Sequence, residues 1–240
     1  MLGIFSKTTD SNFVEAAGFA GLDFIILDQE HGPVSLEMLH NHVRAAKISN
    51  MKAYIRVPIN APHYIGAALD TGADGIVVPN ISSYKEALAA VEAARFHPHG
   101  KRGVCRFVRA ANFGTKDKNA YFKDANEKTI ILQVEGKKGV DALGDILSID
   151  EFDVLFVGPY DLSQSVGYPG EVQHPEVLKL IKEIAAQVSK TKKTLGTFAD
   201  NIQVAKSFRQ LGFSLIAYSV DINLFTMSCF ELKNQLNNNE

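Results

Sequence analysis

Two short stretches of this chain end in carboxylates in the same manner. Thr129–Glu135 (TIILQVE) is an apolar, partly β-branched run that closes on Glu135 and breaks at Gly136. Val154–Ser163 (VLFVGPYDLS) carries four apolar residues into Gly158-Pro159 and reaches Asp161. Runs this short, without polar alternation and stopped by Gly or Gly-Pro, read as strands buried on both faces. Carboxylates just past the ends of two successive parallel strands converge on one point in space. Such an all-oxygen pair suits a hard divalent cation, Mg²⁺ or Mn²⁺ first and Co²⁺ after them, with coordination positions left for substrate and water.

The other strand ends carry matching chemistry. Asp28 and His31 follow DFIILD (Asp23–Asp28), and Arg56 lies within AYIRV (Ala53–Val57). Gln133 precedes Glu135, Gly158, Pro159 and Tyr160 precede Asp161, and Ser219 and Asp221 close the LIAYS run (Leu215–Ser219). A 2-oxo acid chelates a cation through its carboxylate and keto oxygens. Its remaining carboxylate oxygen would face backbone amides near Pro159–Asp161, where a helix begins. Arg56 offers a planar fork to the keto oxygen as negative charge develops there, and His31 is the natural proton carrier near neutral pH. Each residue also has a structural reading. The bland readings are Asp161 as a helix cap, Arg56 as a partner for Asp28, and His31 before Gly-Pro as a loop cap. Their joint appearance on adjacent strands favours chemistry. Schiff-base catalysis is the rival: Lys52, Lys128 and Lys193 fall at or before strand starts, and only Lys137 and Lys138 stand near the expected rim.

These residues need a scaffold that brings many strand ends together. Eight short apolar runs alternate with helical patterns: Leu2–Ser6, Asp23–Asp28, Ala53–Val57, Gly75–Pro79, Thr129–Glu135, the run from Val154, Thr194–Phe198 and Leu215–Ser219. Among the helices, Ser35 caps one through Met38, Leu39 and Val43, another spans Pro175–Val188, and a last one starts near Ile222. Between Arg95 and Lys128 the pattern weakens into an irregular Gly-, Pro- and Arg-rich connection, and a polar Gly/Pro loop is expected after Asp161. One helix is expected through Val140, Leu143 and Ile146, and a frayed tail over Asn237–Glu240. The 240 residues match one α/β domain, a (β/α)8 TIM barrel over 1–240. No G-x-G-x-x-G follows a strand, so a dinucleotide fold has no support. A net charge of −2 gives no footprint for nucleic acid, no apolar run approaches a membrane span, and the N-terminus lacks a signal-peptide pattern. Two separated cysteines, Cys105 and Cys229, read as ordinary thiols of a cytoplasmic protein.

Several segments together resemble the HpcH/HpaI class II pyruvate aldolases, of the 2-dehydro-3-deoxyglucarate or 4-hydroxy-2-oxoheptanedioate aldolase type. They are FIILDQEHGP (Phe24–Pro33), IRVP (Ile55–Pro58), LDTGADGIVVP (Leu69–Pro79), GKRGVCRFVRA (Gly100–Ala110), LQVE (Leu132–Glu135), and GPYDLS (Gly158–Ser163) with GYPG (Gly167–Gly170). The resemblance implies a hexameric barrel, a trimer of dimers, with its C-terminal helix exchanged between subunits. It implies metal binding by Glu135 and Asp161 and enolate stabilisation by Arg56. A histidine at the position of His31 would work with an aspartate matching Asp70 and a metal-bound water. Asp70 ends a helix on the rim opposite the strand ends, so it meets His31 only across a subunit interface. Arg109 matches an arginine near the active-site mouth. Gln29, Gly136 and Tyr160 depart from the family pattern, and Tyr160 is placed to narrow the anion pocket.

The expected activity is therefore a metal-dependent aldolase for 4-hydroxy-2-oxo acids, with pyruvate enolate and an aldehyde as its two halves. The alternative is another carbon–carbon lyase or synthase on the same metal–enolate platform, such as citrate-type condensation of oxaloacetate with acetyl-CoA, or oxaloacetate decarboxylation. A non-catalytic scaffold is the third reading, and the intact strand-end set argues against it.

Overall fold

The computed structural model describes residues 1–237; of the tail expected to fray over Asn237–Glu240, Asn237 ends the last helix and the rest lies outside the described residues. Eight strands, β1 (Leu2–Ser6), β2 (Phe24–Asp28), β3 (Lys52–Arg56), β4 (Gly75–Val78), β5 (Thr129–Val134), β6 (Val154–Val157), β7 (Thr194–Ala199) and β8 (Leu215–Val220), follow one another around a closed parallel barrel. Helices α1 (Ser11–Phe19), α2 (Leu36–Ile48), α3 (Pro62–Asp70) and α4 (Tyr84–Ala94) alternate with the first strands. They are followed by α5 (Lys118–Asn126), α6 (Lys137–Asp141), α7 (Leu143–Leu147), α8 (Pro159–Ser165), α9 (Pro175–Val188), α10 (Ile202–Gln210) and α11 (Asp221–Asn237). The ring closes where β1 pairs with β8, with Leu2 opposite Ile216 and an irregularity between Gly3 and Phe5.

Strand residues alternate between two cores. Ile25, Leu27, Ile55, Leu132 and Leu155 face outward onto helix residues such as Leu39, Val43 and Ile181, whereas Phe5, Phe24, Tyr54, Ile131, Phe156 and Ala217 fill the barrel. Large aromatic rings inside so narrow a ring require gaps elsewhere. At Gly3 an added Cβ would lie 2.2 Å from the Phe24 carbonyl oxygen and 2.6 Å from its ring, so only glycine allows Phe24 its place. Phe5 meets Phe156 and Phe198 edge-on, with ring centroids 6.2 and 5.9 Å apart, and this upper aromatic layer is the floor of the cleft described below.

The opposite rim is tied by a repeated device. Asp23, Asp74 and Asp153 immediately precede β2, β4 and β6, and each carboxylate accepts a backbone N–H from the start of the preceding strand. The acceptor distances are 2.7 Å from Leu2, 3.0 Å from Ala53 and 2.8 Å from Ile130. Stability on this rim is thereby kept apart from chemistry on the other.

Three expectations change. The connection from Arg95 to Lys128 is not wholly irregular. It holds a 3-10 turn (Arg109–Gly114) and α5, whose N-cap Asp117 accepts from Asn119 and Ala120 at 3.0 Å. Only Tyr121 and Ala125 of α5 are buried, so its apolar period is too thin to read. The chain after Asp161 stays helical to Ser165 rather than entering a loop at once, because Pro159 at the first helical position starts α8. The helix expected through Val140 and Ile146 is two short ones broken at Ala142.

Asp74 provides a direct test of the lower rim. Replacing it, D74A, removes the acceptor at Ala53 and is expected to lower stability by about 1–3 kcal/mol, read as an earlier midpoint in urea, while divalent-metal affinity is unchanged.

Candidate active site

The barrel places the two carboxylate-bearing ends side by side. Val134 pairs with Val157 across β5 and β6, so Glu135 and Gly158 emerge together, and Asp161 follows in the first turn of α8. Gly158 is required by that closeness: a Cβ there would lie 2.6 Å from Glu135 Oε2. His31, Arg56, Gln133, Glu135, Gly158, Pro159, Tyr160 and Asp161 all line one cleft of about 470 Å³ at the C-terminal ends of the strands.

Arg56 is held from below. Its Nε and Nη2 donate to Asp28 Oδ1 and Oδ2 at 2.9 and 2.8 Å, and Nη1 lies 3.0 Å from Glu30 Oε2. The guanidinium also stacks over the Phe5 ring, 4.7 Å from its centroid. Asp28 is fully buried, which alone would raise its carboxyl; the hydrogen bonds and charge of Arg56 outweigh burial and hold it below the usual range. The structural reading of Arg56 is thus seen directly: Asp28 orients the fork and lies beneath the cleft rather than on its wall.

Glu135 is the perturbed group on the opposite wall. Burial pushes its carboxyl up to about 7, against hydrogen bonds from Gln133 and from the Asn80 backbone, and the nearby charges of Asp161 and Glu30 push the same way. Asn80 N donates to Glu135 Oε1 at 2.8 Å, Gln133 Nε2 donates to Glu135 Oε2, and Gln133 Oε1 is buried with no hydrogen-bond partner among the described residues. Clustered carboxylates and an orphaned carbonyl oxygen, all hard oxygen donors, fit a divalent cation. Among the described residues no group of three or more His, Cys, Asp or Glu is arranged to hold a metal on its own. Two protein carboxylates with open positions match the way Mg²⁺-type ions are held beside a substrate.

Tyr160 reaches over the cleft, its hydroxyl donating to Asp200 and its ring edge-on to Phe198 at 6.0 Å. That hydrogen bond, then burial, pushes the phenol up to about 12, so it stays protonated. Of the other departures, Gln29 turns into its own loop, Nε2 donating to the Val34 carbonyl at 3.2 Å, and Gly136 caps α6 with open space where a Cβ would stand.

Besides Asp28, two expected residues are not brought to the cleft within the chain. Asp70 ends α3 and accepts from Arg102 Nη2 at 2.6 Å. Arg109 donates from Nη1 to the Thr71 carbonyl at 2.8 Å and lines a separate basic cavity of about 370 Å³ with Lys47, Arg102, Lys116 and Lys128. Sequence reasoning also missed several groups. Glu30 pairs with Arg56 and accepts from Asn80 Nδ2 at 2.9 Å; burial, against Arg56, raises its carboxyl. Its position two residues past a strand that ends in Asp28 was the available signal. Lys137 and Lys138 do not line the cleft, but Lys7, the first residue after β1, does. The strand-end reading began at the second strand and passed over it.

The chain is similar to several known proteins along most of its length. Over 225 residues the chain is 34% identical to a Citrobacter koseri protein named 5-keto-4-deoxy-D-glucarate aldolase, covering 93% of this chain and 87% of that one. It is 33% identical over 223 residues to the hydroxypyruvate/pyruvate aldolase of Roseobacter denitrificans, covering 92% and 87%. A crystal structure of an HpcH/HpaI aldolase/citrate lyase family protein from Burkholderia cenocepacia superposes with a TM-score of 0.94 at 31% identity, over 99% of this chain and 94% of the other. The profile of that family matches residues 1–227. By fold, by sequence and by profile, the chain belongs to the HpcH/HpaI aldolase/citrate lyase family.

Proposed function

We propose that this carbon–carbon lyase is a divalent-metal-dependent aldolase that cleaves and forms 4-hydroxy-2-oxo acids, with pyruvate enolate and an aldehyde as its two halves. One observation carries the reading: Glu135 and Asp161, past the ends of adjacent strands, share a single cleft with Arg56 and His31. The names of the relatives from Citrobacter koseri and Roseobacter denitrificans support it.

Glu135 and Asp161 would hold the ion, with Gln133 bracing Glu135. Mg²⁺ or Mn²⁺ suits such oxygens best, Co²⁺ next. Bound there, the cation supplies positive charge beside the C2 oxygen as that oxygen becomes negative. Arg56 keeps N–H bonds beyond the two given to Asp28, and beside its ion pair with Glu30 it presents them to the same oxygen. The substrate carboxylate meets the backbone N–H groups of Tyr160 and Asp161, which have no partner among the described residues, over the low wall of Gly158 and Pro159. In cleavage, His31 takes the proton of the C4 hydroxyl. The O–H electron pair becomes the aldehyde π bond, the C3–C4 bond breaks, and its pair enters C2–C3 as the C2 π electrons move onto oxygen. A proton returned to C3 gives pyruvate, and the reverse order gives condensation.

Asp70 and Arg109 stand outside the cleft of their own chain, so they serve catalysis in an assembly, Asp70 against the His31 of a second copy. We assign a hexamer, a trimer of dimers with exchanged α11. The support is α11 itself: Phe225, Met227, Phe230, Leu232 and Leu236 are all exposed along it, more apolar surface than a lone chain usually leaves to water. Cys105 and Cys229 are exposed and free, as suits the reducing cytoplasm. Among the described residues no helix is long and apolar enough to cross a membrane.

Two experiments test this reading. EDTA should stop pyruvate release from a 4-hydroxy-2-oxo acid, and Mn²⁺ should restore it in the wild type but not in E135Q. Release that persists in EDTA, with borohydride trapping substrate on Lys7, overturns the metal route. For the assembly, light scattering should give a six-chain mass that is lost when residues 221–237 are removed. D70N should keep that mass and lower kcat by about 10²-fold; full activity from single chains overturns the shared site.

A further inference from the structure

At the end of the barrel away from the cleft, positive charge gathers around the second cavity, of about 370 Å³. The helices α2 and α3 run back from the strand ends. Lys47 in the last turn of α2 and Gly72 just past α3 therefore lie on the rim where the strands begin, and Lys128 stands one residue before β5. The connection after α4 folds over this rim and adds Arg102, Arg109 and Lys116. Five cationic side chains thus line the cavity against one carboxylate, Asp124. None of its lining is shared with the cleft.

Scaffolding accounts for part of this charge. Lys116 pairs with Asp124, Arg102 Nη2 donates to Asp70 at 2.6 Å, and Arg109 Nη1 donates to the Thr71 carbonyl at 2.8 Å, as a cation at a helix C-terminus does. The rest is unmet. The ammonium groups of Lys47 and Lys128 make no hydrogen bond or ion pair among the described residues. Burial lowers the Lys47 ammonium below its usual range; Asp74 opposes this, while Arg109, Lys128 and Lys116 add to it. Asp74 is itself engaged, accepting from Ala53 N at 3.0 Å. Arg102 gives the clearest sign. Its side chain is 2% exposed, its guanidinium stacks over the Phe96 ring at 4.7 Å, and its Nε is buried with no hydrogen-bond partner among the described residues. A buried donor without an acceptor and cations that repel one another are both costly, and a bound anion relieves both.

We infer that this cavity is an anion site, apart from the catalytic cleft, that takes a small molecule carrying two phosphate groups. Asp70 and Asp124 offset two of the five cations, which leaves the charges of Lys47, Arg109 and Lys128 for the ligand. One carboxylate would balance only one of these. Two phosphates bring enough charge, and their oxygens accept from guanidinium and ammonium donors alike. A nucleic-acid strand asks for an open basic stripe, whereas this charge is confined to a cavity. The site stands independently of the aldolase reading, since no group of the cleft enters it.

The probe is 2,3-bisphosphoglycerate, titrated by calorimetry into the full chain with Mg²⁺ and pyruvate in excess. One molecule per chain should bind, more weakly as KCl rises, and glycerate should not. K47M/K128M removes two ammonium groups that hold nothing else in the fold. It should weaken binding about tenfold to a hundredfold at an unchanged urea midpoint, and K47R/K128R should keep most of the affinity. K7M, which takes a cation from the cleft, should bind as the wild type does. No saturable binding in the wild type, or equal affinity in K47M/K128M, overturns the site. Weakened binding in K7M, or displacement of the probe by pyruvate, puts the anion in the cleft and overturns it equally. Failure of the aldolase reading would show in the EDTA experiment and leave this titration unmoved.

Discussion

Arg56 stands between two groups of carboxylates, and the site is arranged around that position. On one side Asp28 and Glu30 take its Nε, Nη2 and Nη1. On the other, Glu135 lies close enough to favour its charged form. The guanidinium is nearly buried, so its partners are a requirement and not an ornament: a charge taken from water without compensation costs several kcal/mol. Asp28 supplies most of that compensation from beneath. What remains of the fork then faces the cleft in a fixed plane, and a fixed plane is what stabilising one developing oxyanion needs.

A closed parallel barrel makes such concentration of charge tolerable. Its interior is filled by Phe5, Phe24, Tyr54 and Phe156. The lower rim uses carboxylates too, but Asp23, Asp74 and Asp153 each satisfy a backbone N–H of a neighbouring strand. On the upper rim the carboxylates are instead turned toward one another. Glu135 and Glu30 both have raised carboxyls, burial being the first cause and mutual repulsion with Asp161 a further one. The same residue type stabilises the fold at one end and stores an unmet need for positive charge at the other.

The strand order, the barrel and the placing of Glu135 and Asp161 on one cleft were legible because each rests on a local signal: an apolar run, a breaker, a carboxylate. Arg56 was legible because an arginine inside an apolar strand is rare without a reason. Other features had no local signal. Glu30 reads as one more polar loop residue until β2 and β3 are paired in register, Asp28 opposite Arg56. Lys7 follows a five-residue strand at the very start of the chain, and only closure of β1 against β8 sets it over the cleft. α5 escaped notice because most of its surface is polar, and α8 because a Gly-Pro pair usually ends structure rather than beginning a helix. Asp70 ends α3 whereas His31 follows β2, and Asp70 does not line the cleft that His31 lines.

Asn80 shows how the two carboxylate groups are kept in step. It follows β4 and Pro79 with φ of +59°, a left-handed conformation that asparagine tolerates better than most residues. In that conformation its backbone N–H points to Glu135 Oε1 at 2.8 Å while its side-chain amide reaches Glu30 Oε1 at 2.9 Å. One residue thus spans from the wall that would hold the cation to the wall that holds Arg56. Glycine would keep the backbone angle and the first bond but lose the second. A β-branched residue would lose the angle itself, and both bonds with it. The choice of asparagine follows from two constraints met together, a turn that needs positive φ and two acidic side chains that need a common donor.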